Sequence, residues 1–160
     1  MNAKAAIKMA IEMGDMVSLP YLEDLNDAEL MRRPCPGCNH INWQIGHLIA
    51  SENHMLNQTL PGSLPALPAG FAEKYSKETA GSDDTSKFCK KDELLKIHKQ
   101  QRAATLVALD KLTDDKLDAA TGLDYAPTLG SVMTMQGSHW LMHAGQWVVV
   151  RRQLGRKPLF

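Results

Sequence analysis

Apolar and polar positions along this chain recur at helical spacing, and nowhere do they alternate with the period of two that a half-buried strand requires. The spacing predicts a first helix from about Lys4 to Asp24, with Ala5, Ala6, Met9, Met13, Met16 and Val17 on its inner face and Pro20 kinking or ending it. Asn26 is placed to cap a short turn over Asp27–Arg32, before the breakers Pro34, Pro36 and Gly37. A second helix fits Ile41–Gln58, opening near Asn39 or His40 and stopped by Pro61-Gly62, with His40, Trp43, His47, Ala50 and His54 along one seam. A third spans Lys91–Leu112, showing Leu94, His98, Gln101, Thr105, Ala108 and Leu112 to one side. Thr113 begins another short turn. A last helix starts at the N-cap Thr128 and runs to Leu154, where Gly155 supplies the left-handed stop. Leu60–Thr85, rich in Pro, Gly, Ser and Ala, is long for a connector inside one domain unless it crosses over. The pattern implies an all-α fold, a four-helix bundle with a long crossover connection, as a single domain over residues 1–160.

The last helix adds chemistry to this pattern. Its inward seam reads Val132, Gln136, His139, His143, Gln146, Val150, so two imidazoles one turn apart stand where apolar side chains belong. Leaving such groups buried and unpaired costs on the order of 1–3 kcal/mol each. A shared metal ion removes that cost; core histidines satisfied by protein groups are the alternative. The pair lacks the glutamate of an HExxH protease helix. A catalytic ion usually needs three protein ligands, and His47, in the middle of the second helix, is the best third; Gly46 beside it permits close approach by a neighbour. His40 and His54 lie about 10 Å from it along the axis and are expected at solvent or at helix caps. His98 reads as a core-edge residue. Trp43, Gln136 and Gln146 are the candidates for pocket walls or for hydrogen-bonding partners behind the ligands. Trp140 and Trp147 are expected to pack against a helix or a second copy of the chain.

Composition narrows the partners. A formal net charge of zero gives no basic footprint for nucleic acid. No run of about eighteen apolar residues is available to cross a membrane. The first residues show no signal-peptide core, so a cytoplasmic location is expected. Three cysteines do not make a disulfide framework. Cys35-Pro-Gly-Cys38 is expected to be an inert reduced loop, with a redox-sensitive pair or part of a metal site as the alternatives. Because it leads directly into the helix carrying His47, oxidation there could shift that helix.

The segments NWQIGHLIASENHML and, about ninety residues further on, HWLMHAGQWVVVRRQLGRKP resemble the DinB-like (DinB/YfiT) superfamily of metal-dependent enzymes. HWLMHAGQ is the most specific mark and WQIGH the next; LNDAELMRRP and the terminal RRQLGRKPL extend the likeness over essentially the whole chain. The resemblance implies a four-helix bundle, a divalent ion (nickel or zinc) held by His47, His139 and His143, and a homodimer. It further implies a small-molecule substrate, with a low-molecular-weight thiol as co-substrate. The expected activity is that of a thiol-dependent S-transferase or isomerase, or of a hydrolase. The different-class alternative is a metal-binding stress-response or scaffold bundle without catalysis. No general base is identifiable; Glu52, Asp124 and Tyr21 are the available contributors from other elements.

Overall fold

Local signals set the helix limits in the computed structural model, which describes residues 1–160. The elements are α1 (Ala3–Ser18), α2 (Pro20–Glu23), α3 (Asp27–Leu30), α4 (Ile41–Thr59), α5 (Phe71–Lys74), α6 (Lys91–Lys111), α7 (Asp114–Leu117) and α8 (Leu129–Gln153). One isolated bridge, between Ala120 and Thr128, closes the loop before α8. Pro20 has no backbone N–H to continue the ladder, so the expected first helix divides into α1 and α2 at Leu19. Asn26 with Glu29 and Thr128 with Ser131 form reciprocal capping boxes at the starts of α3 and α8. Gly155 takes a φ of 70° just past the end of α8, a conformation a side chain would disfavour.

Side-chain pairings give the chain direction. Asn42 donates to the Cys89 carbonyl at the head of α6 and Asn53 to Gln101, so α4 and α6 run parallel. Gln44 meets Trp147 while His47 meets His139, so α4 and α8 are antiparallel. Lys4 reaches the Asp110 carbonyl and Asp15 meets Arg102, so α1 opposes α6. The bundle is therefore up-down-down-up, and residues 60–90 must travel its full length to connect the parallel pair. The crossover packs as it goes: the Tyr75 ring covers the backbone at Gly46, where a Cβ would fall 2.2 Å from the ring. Trp43 Nε1 donates to the Ser76 carbonyl and to Thr79 Oγ1, at 3.1 Å each.

The core is two apolar clusters with a polar layer between them. One holds Leu22, Ile49, Ile97 and Trp140; the other holds Ile11, Met55, Ala108 and Met133. Each long helix places a polar residue between its contributions to the two: Asp15, Glu52, Arg102 and Gln136. Arg102 joins them all. Its Nε donates to Asp15 at 3.1 Å, Nη1 to Glu52 Oε1 at 3.0 Å and Nη2 to the Gln136 carbonyl at 3.1 Å. Thr105 Oγ1 donates to the same Glu52 oxygen. Burial pushes the Asp15 carboxyl upward, but hydrogen bonding to His98 and the Arg102 charge outweigh it and hold the group below its ordinary value.

The structure corrects several expectations. The inner face of α1 is Ile7, Ile11, Gly14 and Ser18, whereas Met9, Met13 and Met16 are exposed. The reason is the crossing with α8. A Cβ on Gly137 would lie 2.2 Å from the Ala10 carbonyl oxygen, and one on Gly14 would lie 2.7 Å from Gly137 Cα. Backbone meets backbone there, and only the glycine face of α1 fits. His98 is fully inside, 3.4 Å from Asp15 and tilted over Trp140, rather than at a core edge. Trp140 and Trp147 pack as expected against other helices, Trp140 beside His98 of α6 and Trp147 on Gln44 of α4. The Pro36-Gly37 turn brings the Cα atoms of Cys35 and Cys38 to 5.3 Å, a separation a disulfide can span. Cys89 is buried and free.

Gly137→Ala should lower stability by roughly 1–3 kcal/mol through overpacking. Gly145→Ala, also inside α8 but with nothing near its Cβ, should raise it by about 0.5–1 kcal/mol. Urea midpoints of the two variants moving the same way would contradict this account of the crossing. Arg102→Ala leaves the buried Glu52 and the half-buried Asp15 without their cation and should cost about 3–5 kcal/mol; a shift below about 1 kcal/mol would remove Arg102 from the centre of the fold.

Candidate metal centre

Three imidazoles converge where α4 and α8 face each other above the polar layer. His47, His139 and His143 each present a ring nitrogen, and the three lie within 4.8 Å of one another. His139 and His143 share a face because they are four residues apart, and the antiparallel α4 brings His47 against them. The ring centroids are 5.5 Å apart for His47 and His139, 5.8 Å for His47 and His143, and 5.1 Å for His139 and His143.

Each ring is oriented by something outside the cluster. Trp43 stacks on His47 at 5.0 Å with an interplanar angle of 6°, and Trp43 is itself held by the crossover. His143 Nδ1 lies 3.0 Å from Gln44 Oε1. The other bonds of Gln44 settle its orientation. Trp147 Nε1, which can only donate, points at Oε1 at 2.8 Å, and the Asn39 carbonyl, which can only accept, takes a bond from Nε2 at 2.7 Å. The oxygen of Gln44 thus faces His143, Nδ1 carries the proton, and the Nε2 lone pair is left for a ligand. Gln146 accepts from Gln44 Nε2 at 3.0 Å, so it stands behind His143 at one remove.

The remaining expected residues lie elsewhere. Gln136 donates to the Val132 carbonyl of its own helix and belongs to the polar layer rather than to the histidine pocket. His40 is buried, not solvent-facing, and caps α4 by accepting from the Trp43 N–H at 2.9 Å. His54 is exposed, as expected near the end of α4. Glu52 is bound by Arg102 and Thr105, and the Tyr21 carbonyl and ring are covered by Arg151. The residue missed by spacing is Gln44. It lies one position past Trp43 and off the histidine seam, and only the packing of α8 against it gives it a role.

Electrostatics keep the cluster neutral. Burial lowers the His139 imidazole to about 4, with His47 nearby adding repulsion. Burial also lowers His143 to about 4, followed by repulsion from His139 and His47, and burial alone lowers His47. Neutral imidazoles are the form that binds a metal. In a tetrahedral site two nitrogens about 2.1 Å from zinc stand about 3.4 Å apart, so nitrogens as far as 4.8 Å apart would close by roughly 1.4 Å to share one ion. The donor set fits a divalent cation.

A cavity of about 580 Å³ opens beside His139, walled by Met55, Met135, Met142 and Tyr125, with His54 on its lining. Another, about 530 Å³, lies between α1 and α6 over Asp15 and Arg102. Asp15, His98 and Arg102 on its lining are already paired with one another, and Glu23 and Lys99 stand exposed at its rim.

An up-down-down-up helical bundle with three histidines on its second and last long helices defines the class. The chain belongs to the DinB superfamily, whose family model matches residues 10–147. No curated protein and no solved structure matches the chain. No helix is long and apolar enough to cross a membrane.

In the metal-free protein, the folded histidines sit below the ordinary 6.5, so the unfolded chain binds more protons between about pH 4 and 6.5. Their contribution is complete above pH 6.5 and is lost as pH falls toward 4. Urea midpoints should therefore drop across that window, and less steeply in His139→Gln. Identical slopes for the two proteins would contradict the buried, neutral assignment.

Proposed function

We propose that this protein is a metal-dependent enzyme acting on a small molecule, with nickel or zinc held by His47, His139 and His143. The observation that carries the reading is three neutral imidazoles converging within 4.8 Å beside an open apolar cavity. Neutral ligands leave the full dipositive charge on the ion, which when bound stabilises the thiolate form of a low-molecular-weight thiol. His143 is oriented for this by Gln44 and His47 by Trp43, so the planes of both rings are set before loading. Met55, Met135 and Met142 present soft, adaptable walls that suit the apolar part of an electrophile.

Thiol-dependent S-transfer or isomerisation is favoured over hydrolysis because the cavity lining contains no carboxylate to activate water. We further propose that the protein works as a homodimer; the exposed stripe Met9, Met13 and Met16 is an apolar face for a second copy to cover.

Purified protein should carry about one nickel or zinc per chain by elemental analysis. His47→Ala, His139→Ala and His143→Ala should each lose it while helical content by circular dichroism stays within a few per cent. Conjugation assays pairing several thiols with small electrophiles should then show turnover dependent on the metal. Full metal occupancy without turnover would favour a scaffold bundle, and retention of metal by all three variants would refute the site.

A further inference from the structure

Three elements enclose the cavity beside His139. From α8 come Met135, His139 and Met142, spaced four and three residues apart and so on one face. From α4 come Ser51 and Met55, one turn apart, with His54 beside them. The third wall is Tyr125, from the loop that precedes α8. That loop is closely bonded. The Ala120–Thr128 bridge closes its neck, the Leu129 N–H donates to the Ala119 carbonyl at 2.9 Å, and the Thr121 N–H donates to the Pro127 carbonyl at 3.1 Å. At its tip the Ala126 N–H donates to the Leu123 carbonyl at 3.1 Å, which makes Asp124 and Tyr125 the central pair of a turn. Ala126 is buried and Leu123 packs against the core, so the turn is pinned on both sides of its central pair.

Tyr125 is nevertheless 66% exposed, and Met142 on the same cavity is 60% exposed. A solitary exposed apolar side chain is ordinary, but these two border one concave space that one of the three histidines also lines. No aspartate, glutamate, lysine or arginine stands on that lining. A compact charge on a ligand would lose water there without gaining a counter-ion. The polar groups are the Ser51 and Ser138 hydroxyls and the His54 imidazole, few enough to orient a largely apolar ligand. Length is constrained as well. His139 lies ten residues past Leu129, the start of α8, which is about 15 Å of helical rise, and Tyr125 comes before that start. A ligand that reaches from the histidines to Tyr125 is therefore elongated.

We propose that this cavity receives an uncharged substrate with an elongated apolar tail ending in a ring, and that Tyr125 selects it by packing on that ring. The inference rests on the small-molecule reading above and names its substrate class. The reacting end of the substrate lies toward His139, Met55 and Met135 line the tail, and Tyr125 covers the far end. Thioether walls and a tyrosine ring both favour an aromatic neighbour, the sulfurs through polarisable contact at the ring edge and the tyrosine through offset or edge-on packing. The backbone that carries Tyr125 is already fixed by its loop, so packing on a ligand immobilises little more than one side chain. Tyr125 is in this way a specificity-determining residue and takes no part in holding an ion.

Two binding measurements on the full chain test this, and the exposure of Tyr125 means that substituting it leaves the fold intact. In protein loaded with cobalt(II), the thiolate-to-cobalt absorption band reports the binding of thiols whose bodies stand in for the substrate. Phenylbutanethiol should bind at least about tenfold more tightly than mercaptoethanol, and the anionic mercaptoethanesulfonate no more tightly than mercaptoethanol. Tyr125→Ala should weaken phenylbutanethiol about tenfold, while its affinities for mercaptoethanol and for cobalt stay at the wild-type values. Tyr125→Phe, which keeps the ring, should behave as wild type. The second measurement needs no metal: saturation transfer by NMR to the ring protons of phenylbutanol should appear with wild type and fade in Tyr125→Ala. Equal affinity for the three thiols, a preference for the sulfonate, or an unchanged response of Tyr125→Ala to both ring-bearing probes would overturn the proposal. Cobalt that fails to bind, with saturation transfer still dependent on Tyr125, would instead overturn the three-histidine site and leave the cavity assignment standing.

Discussion

One guanidinium organises this bundle. Arg102 leaves α6 and bonds to Asp15 on α1, Glu52 on α4 and the Gln136 carbonyl on α8, touching each of the other three long helices. Hydrophobic burial is non-directional and would allow the helices to slide relative to one another. A buried cation with a fixed fork of donors does not. Any axial slip of one helix separates a buried charge from its partner, at a cost of several kcal/mol. The register of four helices is in this way tied to one side chain, and the apolar clusters on either side fill the space that register defines.

The histidine cluster depends on that register. His47 sits five residues before Glu52, and His139 three residues after Gln136, so fixing Glu52 and Gln136 around Arg102 fixes the level at which the imidazoles meet. The glycine crossing does the complementary job across the bundle. Gly14 and Gly137 bring the α1 and α8 backbones into contact, which sets how far α8 stands from α1 and so how its histidine face is presented toward α4. Ion pair and crossing thus control height and depth separately.

The helices and their ends were legible because caps, prolines and the terminal glycine act locally: Asn26, Pro20, Thr128 and Gly155 each do what their chemistry requires. His47, His139 and His143 were legible as well, since spacing on one helix and a family resemblance together select them, and the structure brings them to one place. The inner face of α1 was not. Methionines at helical spacing read as core, but the core side was decided by a partner glycine more than a hundred residues away. Gln44 escaped for the same reason, because its role comes from Trp147 and His143 on another helix. Gln136 was placed with the histidines by its seam position. A seam describes one helix, however, and Arg102 on another draws that level of the seam into the polar layer.

The long crossover shows how a segment without chemistry of its own still bears on the centre. It has to exist because α4 and α6 are parallel, and a chain joining two parallel helices must return along their length. The return path lies against α4, where Tyr75 occupies the room left by Gly46, and Ser76 and Thr79 hold the Trp43 indole. Trp43 in turn fixes the plane of the His47 ring. A residue larger than glycine at position 46 would lift Tyr75, and with it the segment that clamps Trp43. His47 would then lose its stacking partner without any change to the ligands themselves. The preorganisation of the site is therefore a property of the connector as much as of the helices that carry the histidines.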